Sequence, residues 1–355
     1  MKSMKLSALV LILFVLVSCE KEKTSFMEDI VYNEHGIFVI NEGAYSNNNG
    51  SVSYIPNNSS SVMSDVFKRM NNNIGLGDIV QSMYIYNGRA YIVVNNSHKV
   101  EVVDIKTFKS VGTITGFLSP RYFLAVGSGK AFVSDWMSDN IKVVDLNTLT
   151  ITSSIPTGAG PEQLVVNNNK AYITNVGGFG NDSTVTIVDI TTNTVIKTLE
   201  VGLNPNSIIS LPDGKLFVLC GGTIGPDYLS GTADDVGGKI VQIDPAVDTI
   251  LKTVNFPQAV HPVKMTIKKE SSDIYFLSGA DGYTGKVCKL DTMFLTNSTV
   301  INGAFYGVGV NPDNGNFYCG RPGFSANSYV LRFTTAGSLI DSLLVGIGPN
   351  GFVFN

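Results

Sequence analysis

The sequence predicts an all-β protein, a seven-bladed β-propeller of four-stranded antiparallel blades whose ring is closed by the C-terminal strand. A segment of similar sequence recurs along the chain, as in KVEVVDIKTFKSVGTITGF, NIKVVDLNTLTITSSIPTG and STVTIVDITTNTVIKTLEVG. Its strands alternate apolar and polar residues between turns rich in Gly, Asn, Asp and Pro, which is typical of antiparallel sheet. The last residues match a strand that the first repeat lacks.

A short apolar and aromatic strand marks each repeat. It appears seven times, as GIFV (36–39), RAYI (89–92), KAFV (130–133), KAYI (170–173), KLFV (215–218), DIYF (273–276) and GNFY (315–318). Most of these markers are about 40–45 residues apart, the period of four-stranded propeller blades. A proline precedes another apolar strand in five repeats, at Pro120, Pro161, Pro205, Pro262 and Pro349. We expect no capped amphipathic helix.

An aspartate ends the third strand of five repeats, at Asp104, Asp145, Asp189, Asp244 and Asp291. Because each stands directly before a short polar turn, its side chain is expected to accept hydrogen bonds from that turn. We therefore interpret these carboxylates as structural rather than catalytic.

The two ends of the repeat array predict how the ring closes. The first repeat begins at GIFVINEG, which corresponds to the second strand of a blade, and it lacks the strand that precedes this one in later repeats. The segment GPNGFVFN (348–355) matches NPNSIISL (204–211) of a complete repeat. We expect the last strand to pair into the first blade and hold the ring shut.

The first residues predict export and a lipid anchor. Lys2 and Lys5 precede an apolar run from Leu6 to Val17, which is typical of a secretory signal and too short to remain as a membrane span. Leu16-Val17-Ser18-Cys19 resembles a bacterial lipobox, in which the cysteine is lipidated. We expect a signal peptide at 1–18, a lipidated Cys19 with a tether at 19–33, and the propeller at 34–355. An ordinary cleaved signal with an incidental cysteine is the alternative.

Composition and motifs argue against several functions. With a net charge of −4 and 15% charged residues, the chain offers no basic field for nucleic acid. His35, His98 and His261 lack metal-ligand spacing, and there is neither a phosphate-binding loop nor a nucleophile motif. We expect no cofactor, no metal and no catalytic residue, and hence a protein that is not an enzyme. Cys220, Cys288 and Cys319 fit buried apolar positions, and a disulfide between two of them stays open.

The loops predict a binding surface. In a propeller, the loops between second and third strands share one face with the connections between blades. Six of the seven former loops carry an aromatic residue, here called the rim aromatics: Tyr45, Trp136, Phe179, Tyr228, Tyr283 and Phe324. The connections add the mouth polar residues: Gln81, Arg121, Glu162, Gln163, Asn206 and Asn350. Aromatic rings with amides and few charges favour a large, neutral, partly apolar ligand, such as a macrocycle with amide arms or a glycan. The longest loop, 221–238, is either a lid or a tolerated insertion.

The repeat VVDLNTLTITSSIPTGAGPEQL resembles the secreted YncE-like seven-bladed propellers across essentially the whole mature chain. The opening FVINEGAYSNNNGSVSYI, together with the lipobox, resembles the Bacteroidetes lipoprotein branch of that group. That branch includes BtuG-like surface propellers that capture cobalamin and pass it to a transporter.

The resemblance implies a surface lipoprotein of the outer membrane that binds a corrinoid and hands it to a TonB-dependent transporter. Its membrane contact would be through the lipid alone. Two alternatives stay open. One is a propeller for glycan or protein adhesion that uses the same rim. The other is a lactonase-like or quinoprotein-like enzyme, for which Glu162 is the one clear carboxylate expected near the axis.

Overall fold

The computed structural model describes Tyr32 and residues 36–127, 129–268, 271–293 and 295–355. The signal peptide, Cys19 and His35 lie outside these residues, and so does the tether apart from Tyr32. Tyr32 is buried, and its ring lies 5.2 Å from that of Tyr54 and 5.7 Å from that of Phe108. This residue, assigned to the tether by sequence, therefore already packs on the propeller. No helix in the described part of the chain has the length and hydropathy of a membrane span.

The described residues form seven antiparallel sheets, here called blades 1 to 7 in chain order. Blade 1 contains β1 (Ile37–Asn41) and β2 (Ser51–Ile55), and it is completed by β27 (Pro349–Phe354). Blade 2 contains β3 (Val80–Tyr86), β4 (Arg89–Val94), β5 (Lys99–Asp104) and β6 (Ser110–Thr115). Blade 3 contains β7 (Pro120–Gly127), β8 (Lys130–Asp135), β9 (Asn140–Asp145) and β10 (Thr150–Pro156). Blade 4 contains β11 (Pro161–Asn167), β12 (Lys170–Asn175), β13 (Thr184–Asp189) and β14 (Thr194–Glu200).

The remaining blades follow the same plan. Blade 5 contains β15 (Pro205–Ser210), β16 (Leu216–Cys220), β17 (Lys239–Asp244) and β18 (Thr249–Asn255). Blade 6 contains β19 (Val263–Ile267), β20 (Ile274–Ser278), β21 (Gly285–Leu290) and β22 (Asn297–Phe305). Blade 7 contains β23 (Gly307–Val310), β24 (Phe317–Gly320), β25 (Tyr329–Phe333) and β26 (Leu339–Leu344). Single 3₁₀ turns follow β4 at Asn95–Ser97 and β8 at Trp136–Ser138. The predicted seven-bladed propeller is confirmed.

The innermost strands form a closed ring. The contacts run from β27 to β3, β7, β11, β15, β19 and β23, and then back to β27. Within blade 1, β27 pairs antiparallel with β1, so that Phe38 faces Val353 and Ile37 faces Phe354. The C-terminal strand thus supplies the position that the first repeat lacks, as the sequence predicts.

Blade 1 differs from the other blades at its outer edge. Its fourth position is taken by a single antiparallel bridge between Tyr54 and Met63, and not by a regular strand. A helix of one turn, α1 (Val66–Met70), follows, and the Asp65 carboxylate caps it by accepting from the Lys68 backbone N–H. Val66 and Phe67 are buried. This short helix is the one exception to the expected absence of capped helices within the described residues.

The hydrophobic core lies between neighbouring blades. The core between blades 2 and 3, for example, contains Val100, Val102 and Val133, with the Tyr91 and Phe123 rings stacked at 4.2 Å. Each blade therefore depends on both neighbours for burial, as expected of a repeat array. The three cysteines are free and buried, and burial raises the pKa of the Cys220 thiol to about 12. A disulfide among them is excluded in this structure.

The aspartates that end the third strands perform the predicted structural task. The Asp104 carboxylate accepts from the backbone N–H groups of Lys106 and Thr107, at 3.0 and 2.9 Å. Asp189 repeats the arrangement with Thr191 and Thr192. These turns lie on the face opposite the loops that join second to third strands, so that the latter face is left for the side chains considered next.

Candidate functional site

Loops from five consecutive blades surround a cavity of about 650 Å³ on the loop-rich face. We call it the rim cavity. Its lining comes from blades 7, 1, 2, 3 and 4, and comprises Glu42, Gly43, Tyr45, Ile79, Asn95, Asn96, His98, Leu118, Ser119, Arg121, Trp136, Met137, Phe179, Tyr306 and Phe324. This volume lies within the range of small-molecule sites.

Five of the exposed large apolar side chains line this cavity. Phe179 is 89% exposed and Tyr45 is 72% exposed, while Leu118 and Met137 are each more than half exposed. Large apolar groups grouped in this way on a surface typically mark an interaction site. The rim cavity therefore has the character of a binding site for a partly apolar ligand.

Of the six rim aromatics, the structure brings four together. Tyr45, Trp136, Phe179 and Phe324 line the rim cavity, and the Trp136 and Phe179 rings are 6.0 Å apart. Tyr283 lies at the central opening instead. Tyr228 is 86% exposed on the long loop of blade 5, and it lies outside both the rim cavity and the central opening.

Arg121 forms the base of the site. It makes a two-pronged ion pair with Glu162, in which Nε and Nη2 each lie 2.8 Å from a carboxylate oxygen. Its Nη1 donates to the Gln81 side-chain oxygen at 2.7 Å. The guanidinium carbon lies 4.5 Å from the centre of the Trp136 ring, a cation–π contact. Burial lowers the pKa of Arg121, but the neighbouring Glu162 carboxylate outweighs this, and the pKa is raised overall.

The opening of the central channel forms a second cavity of about 290 Å³, here called the mouth cavity. Two carboxylates, Glu42 and Glu162, and two cations, Arg121 and Lys264, line it. Formal charges therefore balance at the mouth. The Tyr306 hydroxyl donates to Glu42, and burial together with this carboxylate raises the pKa of Tyr306, so that the phenol stays protonated.

Three buried polar atoms beside the mouth have no protein partner. They are the Trp136 indole nitrogen and the side-chain oxygens of Asn206 and Asn350. Each amide nitrogen of the two asparagines is bonded, to the carbonyls of Pro262 and Gln81 respectively. Buried polar groups are rarely left unpaired in folded proteins. One donor and two acceptors thus lie beside the mouth without a protein partner.

His98 lines the rim cavity with a defined tautomer. Its Nδ1 contacts the Leu118 carbonyl, which can only accept, so the proton resides on Nδ1. The side chain is exposed.

The mouth polar residues occupy two levels of the channel. Gln81, Arg121, Glu162, Asn206 and Asn350 line the mouth cavity. Gln163 lines the channel below it, and its side-chain oxygen accepts from the Ile208 backbone N–H at 3.1 Å. Gln81, Arg121 and Glu162 are engaged mainly with one another, so Asn206 and Asn350 retain the free acceptors.

Sequence reasoning missed Glu42, Lys264 and Tyr306. Glu42 is the first residue of the loop that carries Tyr45, while Lys264 follows the first residue of β19 and Tyr306 precedes that of β23. The three residues occupy different positions within their repeats, so the repeat pattern does not single them out. The expectation that Glu162 is the only clear carboxylate near the axis was wrong, because Glu42 also reaches the mouth.

Fold and cavities together define the class: a seven-bladed propeller with a ligand-type cavity on its loop-rich face. The chain belongs to the family described as domain of unknown function DUF5074, which matches residues 35–333. A comparison with curated proteins gives no match.

Several solved structures are similar to this chain. A quinonprotein alcohol dehydrogenase-like protein from Bacteroides thetaiotaomicron has a TM-score of 0.65 at 17% identity, covering 91% of this chain and 79% of its own. A periplasmic gluconolactonase from Pseudomonas aeruginosa has a TM-score of 0.65 at 12% identity, covering 90% and 98%. A functionally unknown protein from Desulfotomaculum acetoxidans has a TM-score of 0.65 at 14% identity, again covering 90% and 98%. At these identities the similarity concerns the fold alone.

Proposed function

We propose that this protein is a non-enzymatic binding propeller that holds a corrinoid in the rim cavity. The observation that carries the proposal is the grouping of Tyr45, Trp136, Phe179 and Phe324 around one cavity of about 650 Å³. A flat macrocycle can stack on such rings, and each aromatic ring offers roughly 150–250 Å² of contact.

The polar groups support the same ligand class. A corrin ring carries amide side chains, which both donate and accept hydrogen bonds. The unpartnered Trp136 N–H can donate to an amide oxygen, and the free oxygens of Asn206 and Asn350 can accept from amide nitrogens. The balanced charges of Glu42, Glu162, Arg121 and Lys264 suit a ligand whose periphery is neutral.

The state of the mouth carboxylates favours binding over hydrolysis. Glu162 is held by both prongs of Arg121, and Glu42 accepts from Tyr306. A general base or a metal ligand needs a carboxylate with a free lone pair directed at substrate. A test for lactone hydrolysis with the purified protein addresses the enzyme alternative directly, since turnover would contradict this part of the proposal.

The test of binding uses Trp136, the only tryptophan of the chain. Cobalamin bound in the rim cavity should quench its fluorescence, and calorimetry should give one site per chain. Mixing cobalamin with N-acetyltryptophanamide at the same concentrations controls for absorption of light by the corrin. Unchanged fluorescence together with no heat of binding would refute the corrinoid proposal.

Phe179→Ala should weaken cobalamin binding about tenfold, which corresponds to about 1.4 kcal/mol of lost ring contact. Because Phe179 is 89% exposed, the substitution should leave the fold intact. Tyr228→Ala is the matched control, since it removes an equally exposed ring that lies outside the cavity. Equal losses in both variants would contradict the assignment of the site. Stacking on a glycan is the alternative outcome, and binding on a glycan array without any to cobalamin would favour it.

We further propose that Cys19 is lipidated, that the protein is displayed on the outer membrane, and that it delivers its ligand to a TonB-dependent transporter. The lipobox-like Leu16-Val17-Ser18-Cys19 supports the first step. Cys19→Ala should abolish incorporation of labelled fatty acid, and protease added to intact cells should degrade the wild-type protein. Co-purification of a transporter with the wild-type protein would test the partner.

A further inference from the structure

A group of acidic side chains lies in the long loop of blade 5, residues 221–238, outside the rim cavity. Asp227, Asp234 and Asp235 each present a carboxylate oxygen, and these oxygens lie within 4.8 Å of one another. Asp227 and Asp234 are exposed, whereas Asp235 is 5% exposed. Carboxylates this close repel one another unless a cation lies among them.

The Asp235 carboxylate is fixed in place by two backbone groups. One of its oxygens accepts from the Gly225 backbone N–H at 2.8 Å, and the other accepts from that of Gly231. Each carboxylate oxygen can accept more than one bond, so Asp235 keeps capacity for a further partner.

A histidine from outside the loop points at Asp235. His261 lies in the connection between blades 5 and 6, is 2% exposed, and is held by its backbone N–H on the Gly279 carbonyl at 2.8 Å. Its Nδ1 lies 3.0 Å from the Gly221 carbonyl, which can only accept, so Nδ1 carries a proton. The Nε2 atom has no hydrogen-bond partner and lies 3.8 Å from Oδ2 of Asp235.

This contact is the second, independent sign of a ligand. Nε2 of His261 and Oδ2 of Asp235 face each other in a buried place, at a separation longer than the roughly 2.7–2.9 Å of a charged hydrogen bond. A metal ion bonded to both atoms, at roughly 2.0–2.2 Å from each, would span such a gap. The sequence could not indicate this, because His261 and the acidic residues are brought together only by the packing of two connections.

We propose that a divalent metal ion binds at Asp235, bridging its carboxylate to His261, with Asp227 and Asp234 of the same loop as further ligands. Imidazole suits zinc, carboxylates suit manganese, and calcium prefers oxygen ligands alone, so a mixed set of carboxylates and one imidazole favours Zn²⁺ or Mn²⁺ over Ca²⁺. The ion would fasten the long loop to the connection that carries His261. It would thereby position Tyr228 on the loop-rich face. Binding of this ion does not depend on a ligand in the rim cavity.

The test is calorimetric titration of the full-length, chelator-treated protein with Zn²⁺, Mn²⁺ and Ca²⁺ separately. We expect one Zn²⁺ or Mn²⁺ per chain, with affinity reduced at least about tenfold in Asp234→Asn and in His261→Gln. Asp234 is exposed, so its variant should fold even if the His261 variant does not. Asp213→Asn, an exposed carboxylate on the opposite face, is the matched control and should bind as the wild type does.

A second readout reports on the loop itself. Chymotrypsin should cut the metal-free protein after Tyr228, since Tyr228 is 86% and Leu229 is 63% exposed, and the bound ion should slow this cut. Asp234→Asn should be cut equally fast with and without metal. Absence of binding, wild-type affinity in Asp234→Asn, or tighter binding of Ca²⁺ than of Zn²⁺ and Mn²⁺ would each overturn the proposal.

Discussion

Arg121 contacts three other residues that line the mouth cavity, namely Glu162, Gln81 and Trp136. Its side chain is 17% exposed and its partner Glu162 is 7% exposed, so the pair has lost most of its hydration. Moving two charges out of water carries a desolvation penalty, and their mutual attraction offsets it only while both partners are present. The guanidinium also donates a hydrogen bond to Gln81 and makes a cation–π contact with Trp136. Arg121 is therefore central to the shape of the mouth.

Arg121→Met should lower the free energy of unfolding by about 3–5 kcal/mol, because it leaves Glu162 buried without its cation. Urea denaturation followed by circular dichroism measures this. The double variant Arg121→Met/Glu162→Gln should be more stable than the single variant, since no unpaired charge remains. Unfolding of Arg121→Met at the wild-type urea concentration would contradict the argument.

The sequence could place single residues on the correct face, but it could not say which of them meet. The repeat gives each loop its position within a blade, and this predicts the loop in which each rim aromatic lies. Which loops lie close together depends on contacts between residues that are distant in the sequence, such as that of Tyr306 with Glu42, which are 264 residues apart. The length of the 221–238 loop likewise gives no position for Tyr228. For these reasons four of six rings share a cavity and two do not.

Among the elements, the outer edge of blade 7 shows how neighbouring blades are tied at the periphery. Arg332 on β25 pairs with Asp341 on β26, donating to Oδ1 at 2.7 Å, and also donates to the Ser59 carbonyl of blade 1 at 2.8 Å. Ser60 in turn donates to Asp341 at 3.2 Å. The fourth position of blade 1, which lacks a regular strand, is thus held partly by side chains of blade 7.

Asp341 should make stability depend on pH. Its pKa is lowered by the hydrogen bond from Arg332, so its contribution is complete above the ordinary carboxyl pKa and is lost as pH falls through the lowered value. Asp341→Asn should therefore lower the melting temperature at pH 7, and the difference from wild type should shrink in acid. Asp213→Asn, whose exposed partner is Lys215, serves as the control and should show little difference at either pH. A constant difference between Asp341→Asn and wild type at all pH values would rule out this role.

For the whole molecule, the pairing of β1 with β27 decides whether the ring exists. The sequence predicted it from the match of 348–355 to 204–211, because a repeat fixes which strand must be missing. The outer edge of blade 1 was not predicted, since PNNSSSVMSD (56–65) has no alternation and its one bridge, at Met63, depends on Tyr54. A repeat thus predicts what the blades share, while departures from it depend on tertiary contacts.

Deletion of 349–355 should destabilise the entire propeller, because each blade packs on both neighbours and removal of β27 uncovers blades 7 and 2 together with blade 1. We expect a single thermal transition at lower temperature and protease cuts distributed over all blades. Deletion of Asn355 alone, which lies beyond β27, is the control. Fraying confined to blade 1, with the other transitions unchanged, would show that the ring tolerates opening.

The same pairing has a consequence for how the protein is made. Residues 37–41 pair with residues more than 300 positions further along the chain, so one flank of β1 remains open to foreign strands until synthesis is complete. Such late, long-range pairing slows folding and prolongs exposure to aggregation. Cells producing this chain should therefore depend on holding chaperones in the compartment where it folds, and overproduction should yield inclusion bodies before it yields misfolded monomers.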